Sequence, residues 1–171
     1  MDKMESHSVD GLSIDCESLM ISLKRVPFNN FIMSRMLGDL ADANINVDVI
    51  SRTAPVGDTF DVSVVVPEKD LPMVREIAND LGNDYSQIDI TVNKNITRLN
   101  LHGIGMRTQS GVAAKYLQVF ADEDIHVMMI TTSEICISCI VRNDDAKKAA
   151  TAIQQVFDLN SRIINLLVEI I

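Results

Sequence analysis

Two of the three cysteines stand close enough together to raise the question of metal binding or redox chemistry. Cys136 and Cys139 form a C-x-x-C pair, whereas Cys16 lies far away in the sequence. A structural zinc site takes four ligands, and no second pair or nearby histidine completes one here. Residues three apart in a strand point to opposite faces of the sheet. We therefore interpret the pair as strand residues and predict no metal site and no disulfide framework.

The chain also lacks the common sequence motifs of catalytic and nucleotide-binding sites. It contains no P-loop, no H-E-x-x-H and no G-x-S-x-G, and the glycines of HGIGMRTQSG (102–111) lack the spacing of a phosphate-binding loop. His102 and His126 belong to predicted strands and His7 to a polar tail, so no histidine–carboxylate pair is suggested. We predict no catalytic residues and no cofactor.

A polar stretch from Thr131 to Glu134 interrupts residues that otherwise have the pattern of a strand. No glycine or asparagine there accounts for a turn. Two interpretations are open, and they are compatible with each other. The polar atoms face a ligand or a subunit interface, or the stretch is a tight hairpin in which Thr132 or Ser133 bonds to its own backbone.

Two loops, each leading from a predicted strand into a predicted helix, are the best candidates for a ligand site. They are PFNNF (27–31) and RTQSG (107–111). The free N–H groups and positive dipole end of a helix start can hold a carboxylate. In the second loop Ser110 is predicted to cap the helix, and Gly111 lets the backbone approach a ligand closely. A small zwitterion would find N–H groups for its carboxylate and strand carbonyls for its ammonium there, although each loop taken alone is also compatible with an ordinary capped turn.

The composition of the 171-residue chain indicates what kind of protein core must position these loops. Hydrophobic residues make up 47%, but only 4% are aromatic and there is no tryptophan, so the core must be aliphatic. A net charge of -9 argues against a nucleic-acid or anionic-membrane partner. No apolar run approaches the roughly 18 residues of a membrane span, and the polar start MDKMESHSVD does not resemble a signal peptide. We expect a soluble, cytoplasmic protein.

The chain contains an internal repeat. LADANINVDVISRT (40–53) aligns with FADEDIHVMMITTS (120–133), and an apolar helical stripe precedes each copy at matching positions. In both copies a strand, a loop, the striped helix, a β-hairpin and a second helix follow one another. The first copy adds a last strand, SQIDITV (86–92), whereas the second copy has no equally clear one.

The missing strand has two candidates. The N-terminal segment SVDGLSID (8–15) can cross over to complete the second sheet, and the tail RIINLLVEII (162–171) is its rival, since its apolar spacing does not decide between strand and helix. We prefer the N-terminal segment and predict an α+β fold of two ferredoxin-like βαββαβ units, each an antiparallel sheet with helices on one face. The predicted domains are 1–17 (N-terminal strand of the second unit), 18–94 (first unit), 95–159 (second unit) and 160–171 (C-terminal tail).

Four segments carry a family resemblance. LADANINVDVI, GVAAK, MITTSEICIS and AIQQVFDL together resemble the tandem ACT regulatory region of aspartokinases, from about Val9 to Leu159. The kinase catalytic domain is absent from the sequence, so we expect no enzymatic activity from the chain by itself. A start just before VDGLSID is similar to that of the small regulatory β subunit that some bacteria translate from an internal start, and a cloned fragment of a longer aspartokinase would look identical.

The resemblance implies a role as well as a fold. Aspartokinase converts ATP and L-aspartate to 4-phospho-L-aspartate, and the ACT region of the family senses lysine or threonine for feedback inhibition in lysine, threonine and methionine biosynthesis. Effectors of the family bind at interfaces between ACT units, at the strand-to-helix loop and the next strand. The implied partners are a second copy of the chain (a homodimer), an aspartokinase catalytic subunit and an amino-acid effector. An assembly module that has lost effector binding and a free-standing ACT regulator of another enzyme are the alternatives.

Most candidate effector-binding residues belong to the second unit: Met106, Ser110, Gly111, Val112, Ala113, His126, Val127, Thr132, Ser133 and Glu134. Weaker candidates belong to the first unit: Asn29, Asn30, Phe31 and Arg52. There the family's P-D-x-P-G pattern is replaced by PFNNF, which lacks the acidic partner for an ammonium and the helix-opening glycine. Arg52 stands where a glutamine often contacts the effector. We therefore expect the second unit to make more of the contacts to an effector's carboxylate.

Overall fold

The structure is a computed structural model, and it describes residues 9–104 and 110–159. These residues form two compact units. The first unit is Glu17–Asn95, and the second unit combines residues 9–16 with the described part of the chain after Asn95. The tail expected at 160–171 lies outside the described residues.

In the described part of the chain, eight strands and four α-helices follow one another. They are β1 (Gly11–Asp15), β2 (Ser18–Pro27), α1 (Phe31–Asp42), β3 (Val49–Arg52), β4 (Thr59–Pro67), α2 (Leu71–Asp84), β5 (Asp89–Asn93), β6 (Thr97–His102), α3 (Val112–Asp122), β7 (Met129–Thr132), β8 (Cys136–Val141) and α4 (Asn143–Phe157). A short 3-10 helix, Glu68–Asp70, precedes α2. No helix among the described residues is long and apolar enough to cross a membrane.

The first unit is built on a four-stranded antiparallel sheet in the order β3-β4-β2-β5. Over residues 19–23 of β2 and 62–66 of β4, every second residue is aliphatic and faces one side, as in the cross-strand pairs Leu23↔Val62 and Ile21↔Val64. Helices α1 and α2 pack on that side, and α1 does so with residues four apart, Ile32, Met36 and Leu40. The unit therefore has the predicted βαββαβ order, including its last strand.

The second unit has the equivalent antiparallel sheet, in the order β1-β6-β8-β7. β1 pairs with β6 along its whole length, which is the place that β5 takes beside β2 in the first unit. The N-terminal strand therefore completes the second unit, as predicted from the strand missing in the second repeat. Helices α3 and α4 cover one face, where the buried Tyr116 hydroxyl donates a hydrogen bond to the Leu99 carbonyl oxygen (2.9 Å).

The β-hairpins of the two units differ in length. β3 and β4 are joined by residues 53–58, where Gly57 has a positive φ of 61°. β7 and β8 are joined by residues 133–135 alone. The prediction that a strand begins at His126 is wrong, because β7 begins at Met129 and His126 lies in the connection before it.

Candidate functional site

The start of α3, in the second unit, is an open stretch of backbone. Gly111 is the N-cap residue of this helix and has a φ of 96°, in the left-handed region that L side chains disfavour. A Cβ atom built on Gly111 would meet no described atom within 4 Å. The first N–H groups of an α-helix have no partner within the helix, and Gly111 places no side chain of its own beside those donors.

The predicted cap of this helix is wrong by one residue. Ser110 is an exposed turn residue that precedes the helix, and Gly111 takes the N-cap position. The reason is the left-handed backbone at Gly111, which only glycine adopts without a steric penalty. Met106, a further candidate in this loop, lies outside the described residues.

The next two candidates can offer backbone atoms rather than side chains. Val112 is buried in the core of the second unit, and Ala113 is half-buried and packs against that core. Both side chains therefore face the protein interior. A ligand at the helix start would meet the N–H groups of these residues.

Residues 132–134 lie at the same end of the second sheet as Gly111. Thr132 pairs with Ile137, which in turn pairs with Leu101 near the end of β6. The chain leaves β6 at this end on its way to α3. The side chains of residues 132–134 are exposed, so they are accessible beside the helix start.

Ser133 organises the short turn between β7 and β8. Its N–H and its hydroxyl both donate to the Cys136 carbonyl oxygen (2.8 and 3.3 Å), and its Oγ accepts a hydrogen bond from the Ile135 N–H (3.4 Å). The interpretation of this stretch as a hairpin bonded to its own backbone is therefore confirmed for Ser133. Thr132 is the last residue of β7.

His126 and Val127 lie at the other end of the second unit. The residue that follows them, Met128, donates its N–H to the Ile140 carbonyl oxygen (2.8 Å), close to the start of β6. Helix α3 has 11 residues and so separates the two ends by roughly 16 Å. Within one unit, the fold does not bring His126 and Val127 to Gly111.

The equivalent loop of the first unit is held by its own hydrogen bonds. The Phe28 N–H donates to the Asp58 carbonyl oxygen (2.7 Å), which ties the loop to the β3–β4 hairpin. The Asn29 side-chain oxygen accepts a hydrogen bond from the Phe31 N–H (3.0 Å), so one donor at the start of α1 is already used. Asn30 is the N-cap residue, with an ordinary φ of -91°.

Arg52 lies close to two aromatic rings beside this loop. Its guanidinium carbon lies 4.0 Å from the ring centroid of Phe60 and 5.5 Å from that of Phe28. Phe60 is buried in the core of the first unit, whereas Phe28 is exposed. Arg52 pairs with Val62, whose side chain faces the helices, and this register turns Arg52 toward α1 rather than toward the opposite face of the sheet.

The sheet face opposite the helices of the second unit carries a polar row that sequence reasoning missed. The Ser138 hydroxyl donates to Asn100 Oδ1 (2.7 Å), Asn100 Nδ2 donates to Ser13 Oγ (3.3 Å), and Ser13 Oγ lies 2.8 Å from His102 Nε2. These residues alternate with aliphatic ones along β1, β6 and β8. The alternation is visible in the sequence and indicates a polar sheet face, but only the strand register shows which polar side chains are hydrogen-bonded to each other.

The C-x-x-C pair behaves as strand residues with separate surroundings. Cys139 is buried in the core beside Tyr116, and burial raises the pKa of the Cys139 thiol to about 12. Cys136 lies on the opposite face, 3.6 Å from Ser138 Oγ. Among residues 9–104 and 110–159, no group of three or more histidine, cysteine and acidic side chains could hold a metal ion.

Comparison with known proteins identifies the family. The family model "ACT domain" matches residues 99–157. A solved structure of aspartokinase alpha and beta subunits is 32% identical to this chain, with a TM-score of 0.79 over 88% of this chain and 99% of that one. The chain belongs to the aspartokinase regulatory family. Its two units are the tandem ACT domains of that family, and the predicted fold class is confirmed.

Other members of the aspartokinase family give the same result. The ligand-free regulatory subunit of aspartate kinase from Thermus thermophilus is 26% identical, with a TM-score of 0.77 over 88% of this chain and 99% of that one. The aspartokinase of Corynebacterium efficiens is 28% identical over 158 residues, which are 91% of this chain and 38% of that protein. The chain thus spans about two fifths of the length of the curated aspartokinases that it matches.

Proposed function

We propose that this chain is the amino-acid-sensing regulatory part of an aspartokinase and that lysine or threonine is its feedback effector. The kinase that it serves phosphorylates L-aspartate with ATP, early in the biosynthesis of lysine, threonine and methionine. The observation that carries this proposal is the open helix start at Gly111 in the second ACT unit, with a left-handed φ of 96° and free space where a side chain would stand.

The proposed effector site uses the two polar features at that end of the second unit. The effector's carboxylate binds the first N–H groups of α3, where the helix dipole is positive. Its ammonium lies toward the β7–β8 turn, where Glu134 supplies a carboxylate and the exposed end of β7 supplies carbonyl oxygens. His126 and Val127 take part in the same site only if a second copy of the chain supplies them, because they lie at the far end of α3.

A homodimer is part of this proposal, either alone or with a catalytic subunit. β3 and β7 are edge strands of their sheets. Their exposed faces carry Ile50 and Ile130, at the same position of the two repeats and 51% and 38% exposed. An unpaired edge with exposed aliphatic side chains favours pairing with another chain. Sedimentation at micromolar concentration should give a dimer, and a monomer at every concentration would contradict this part.

The direct test is calorimetric titration of the chain with L-lysine and L-threonine, with L-methionine as a third amino acid for comparison. We expect saturable binding of lysine or threonine and no comparable binding of methionine. Absence of binding by all three would refute the sensing role.

A second candidate function is an assembly module that has lost effector binding. The packing of Arg52 between Phe28 and Phe60 supports it, since a side chain from the sheet lies against the loop of the first unit. This alternative predicts a dimer that releases no heat with any of the three amino acids. The titration and the sedimentation measurement together therefore separate the two functions.

A further inference from the structure

The first-unit cleft, which we define as loop 28–30, the first turn of α1 and Arg52, is built differently from its counterpart. In the second unit the corresponding positions include Gly111 at the helix start and Thr132 at the end of β7. In the first unit they are Phe31 and Arg52, and Phe28 stands in the loop. Two of these three side chains, Phe28 and Arg52, interact with each other across the cleft.

The Phe28–Arg52–Phe60 stack is anchored on the side of the core. Phe60 is 2% exposed, so its ring is a fixed surface on which the Arg52 guanidinium lies at 4.0 Å. A cation over an aromatic face is attracted by the electrons of the ring. The ring centroid of Phe28, which is 59% exposed, lies 5.5 Å from the guanidinium carbon. The arginine remains an exposed residue, but its guanidinium lies against the rings of Phe60 and Phe28 beside the start of α1.

Backbone hydrogen bonds hold the loop in the position that this packing requires. The Phe28 N–H is bonded to the Asp58 carbonyl oxygen, and the Phe31 N–H is bonded to the Asn29 side chain. The Phe31 N–H is one of the helix-start donors that a carboxylate would otherwise use, whereas the Phe28 bond fixes the loop that precedes them. In the first-unit cleft, Arg52 and Phe28 thus lie close to each other beside the helix start, and one helix-start donor is already used.

We infer that Arg52 and Phe28 are specificity-determining residues that close the first-unit cleft to amino acids, so that each chain takes its effector at the second unit alone. The inference rests on the proposed sensing function. The loop and helix of the first unit still have the backbone arrangement of the fold. We therefore attribute the closure of the first-unit cleft to the packing of its side chains. Removing the packing should therefore open a second binding place.

The test is the number of amino acids bound per chain, measured by calorimetric titration of the full chain with L-lysine and with L-threonine. The variants are Phe28→Ala, Arg52→Ala and the double variant. Arg75→Ala, which removes an exposed arginine from α2, is the matched control. We expect the double variant to bind one more amino acid per chain than the wild type, and the control to bind as many as the wild type.

Two additions keep the result interpretable. Arg52→Gln retains a polar side chain and replaces Arg52→Ala if the double variant does not fold. The double variant is also made in a Gly111→Asp background, where binding at the second unit is disabled. We expect the additional binding to persist there, which places it in the first unit.

The inference is overturned if no folded variant binds more amino acid than the wild type. It is also overturned if replacement of Arg52 removes binding that the wild type shows, because Arg52 would then contact the effector. The wild type alone decides the proposed function. A wild type that binds nothing, beside a double variant that binds one amino acid, would refute the second-unit site and still support the closed first cleft.

Discussion

The helix starts of α1 and α3 occupy the same place in two copies of one fold, yet they offer a ligand different surfaces. At α3 the chain passes through a left-handed glycine and leaves open space. At α1 it passes through Asn30 in an ordinary conformation, with Asn29 bonded to the helix and Arg52 stacked beside the loop. The repeated fold sets where a site can be, and the side chains on the neighbouring strand and loop decide whether it is open.

The largest expected effect is that of a negative charge introduced at Gly111 on effector binding at the start of α3. We expect Gly111→Asp to weaken lysine or threonine binding at least about tenfold more than Gly111→Asn, because a carboxylate against the ligand's own carboxylate costs several kcal/mol. Asparagine is the matched control, since it has a similar size and also tolerates a left-handed backbone. The measurement is calorimetric titration of both variants. Equal losses would place the ligand's carboxylate away from the start of α3.

The cores of the two units differ at several equivalent helix positions, among them Tyr116 in the second unit and Met36 in the first. Both are fully buried. Tyr116→Phe leaves the Leu99 carbonyl oxygen without its 2.9 Å hydrogen bond and should lower the free energy of unfolding by about 1–3 kcal/mol. Met36→Leu conserves volume and should cost less than about 1.5 kcal/mol. Urea denaturation checks both values, and a Tyr116→Phe protein as stable as the wild type would show that the bond contributes nothing net.

Alkaline pH should destabilise the second unit through Cys139. Burial raises the pKa of its thiol to about 12 in the folded protein, against about 8.5 for an ordinary thiol in the unfolded chain. The contribution is fully present below about pH 8.5 and is lost as the pH rises toward 12, because only the unfolded chain releases this proton in that window. Stability should fall by up to about 1.4 kcal/mol per pH unit.

Cys139→Val provides the control for this pH dependence. The first unit, Glu17–Asn95, contains no cysteine, so the variant should lose most of the slope between pH 8.5 and pH 9.5. Burial also raises the pKa of the Tyr116 hydroxyl above its ordinary value, which is why the measurement stays below about pH 10. Identical slopes in the variant and the wild type would assign the effect to other groups.

The smallest effect is expected at the first loop. Phe31 is 68% exposed. We expect Phe31→Ala to change the affinity for lysine or threonine by less than about twofold, a change in binding free energy well below the roughly 1.4 kcal/mol of a tenfold change. The same titration measures it. A loss larger than that of Gly111→Asn would reverse the ranking of the two helix starts.

Much of the fold could be predicted because local pattern and repetition agree. The apolar stripe of α1, at Ile32, Met36 and Leu40, recurs as an apolar stripe in α3 and identifies the buried face of each helix. The absence of a last strand in the second repeat showed that a strand was needed, and the N-terminal segment was preferred over the tail 162–171 to supply it. These features depend on residue types along the chain and on the need to complete a sheet, so sequence reasoning can find them.

The candidate site was harder to predict because it depends on contacts across strands. The packing of Arg52 on Phe60 follows from the register of β3 with β4, which the sequence does not state. The choice between Ser110 and Gly111 as N-cap depends on one backbone angle, and serine is the usual preference at that position. The polar row through Asn100 likewise needs three strands to be aligned before its hydrogen bonds can be seen.

The position of β1 in the chain has a consequence for the order of folding during synthesis. A ribosome completes β1 first, then the whole first unit, and only afterwards the strand with which β1 pairs. Because domains tend to fold as they emerge, the first unit can reach its native structure while β1 is still an unpaired strand tethered to it. The second unit then forms after the first unit has already folded. Its formation is therefore the later event, and an interruption of synthesis after Asn95 would leave a complete first unit joined to an unpaired β1.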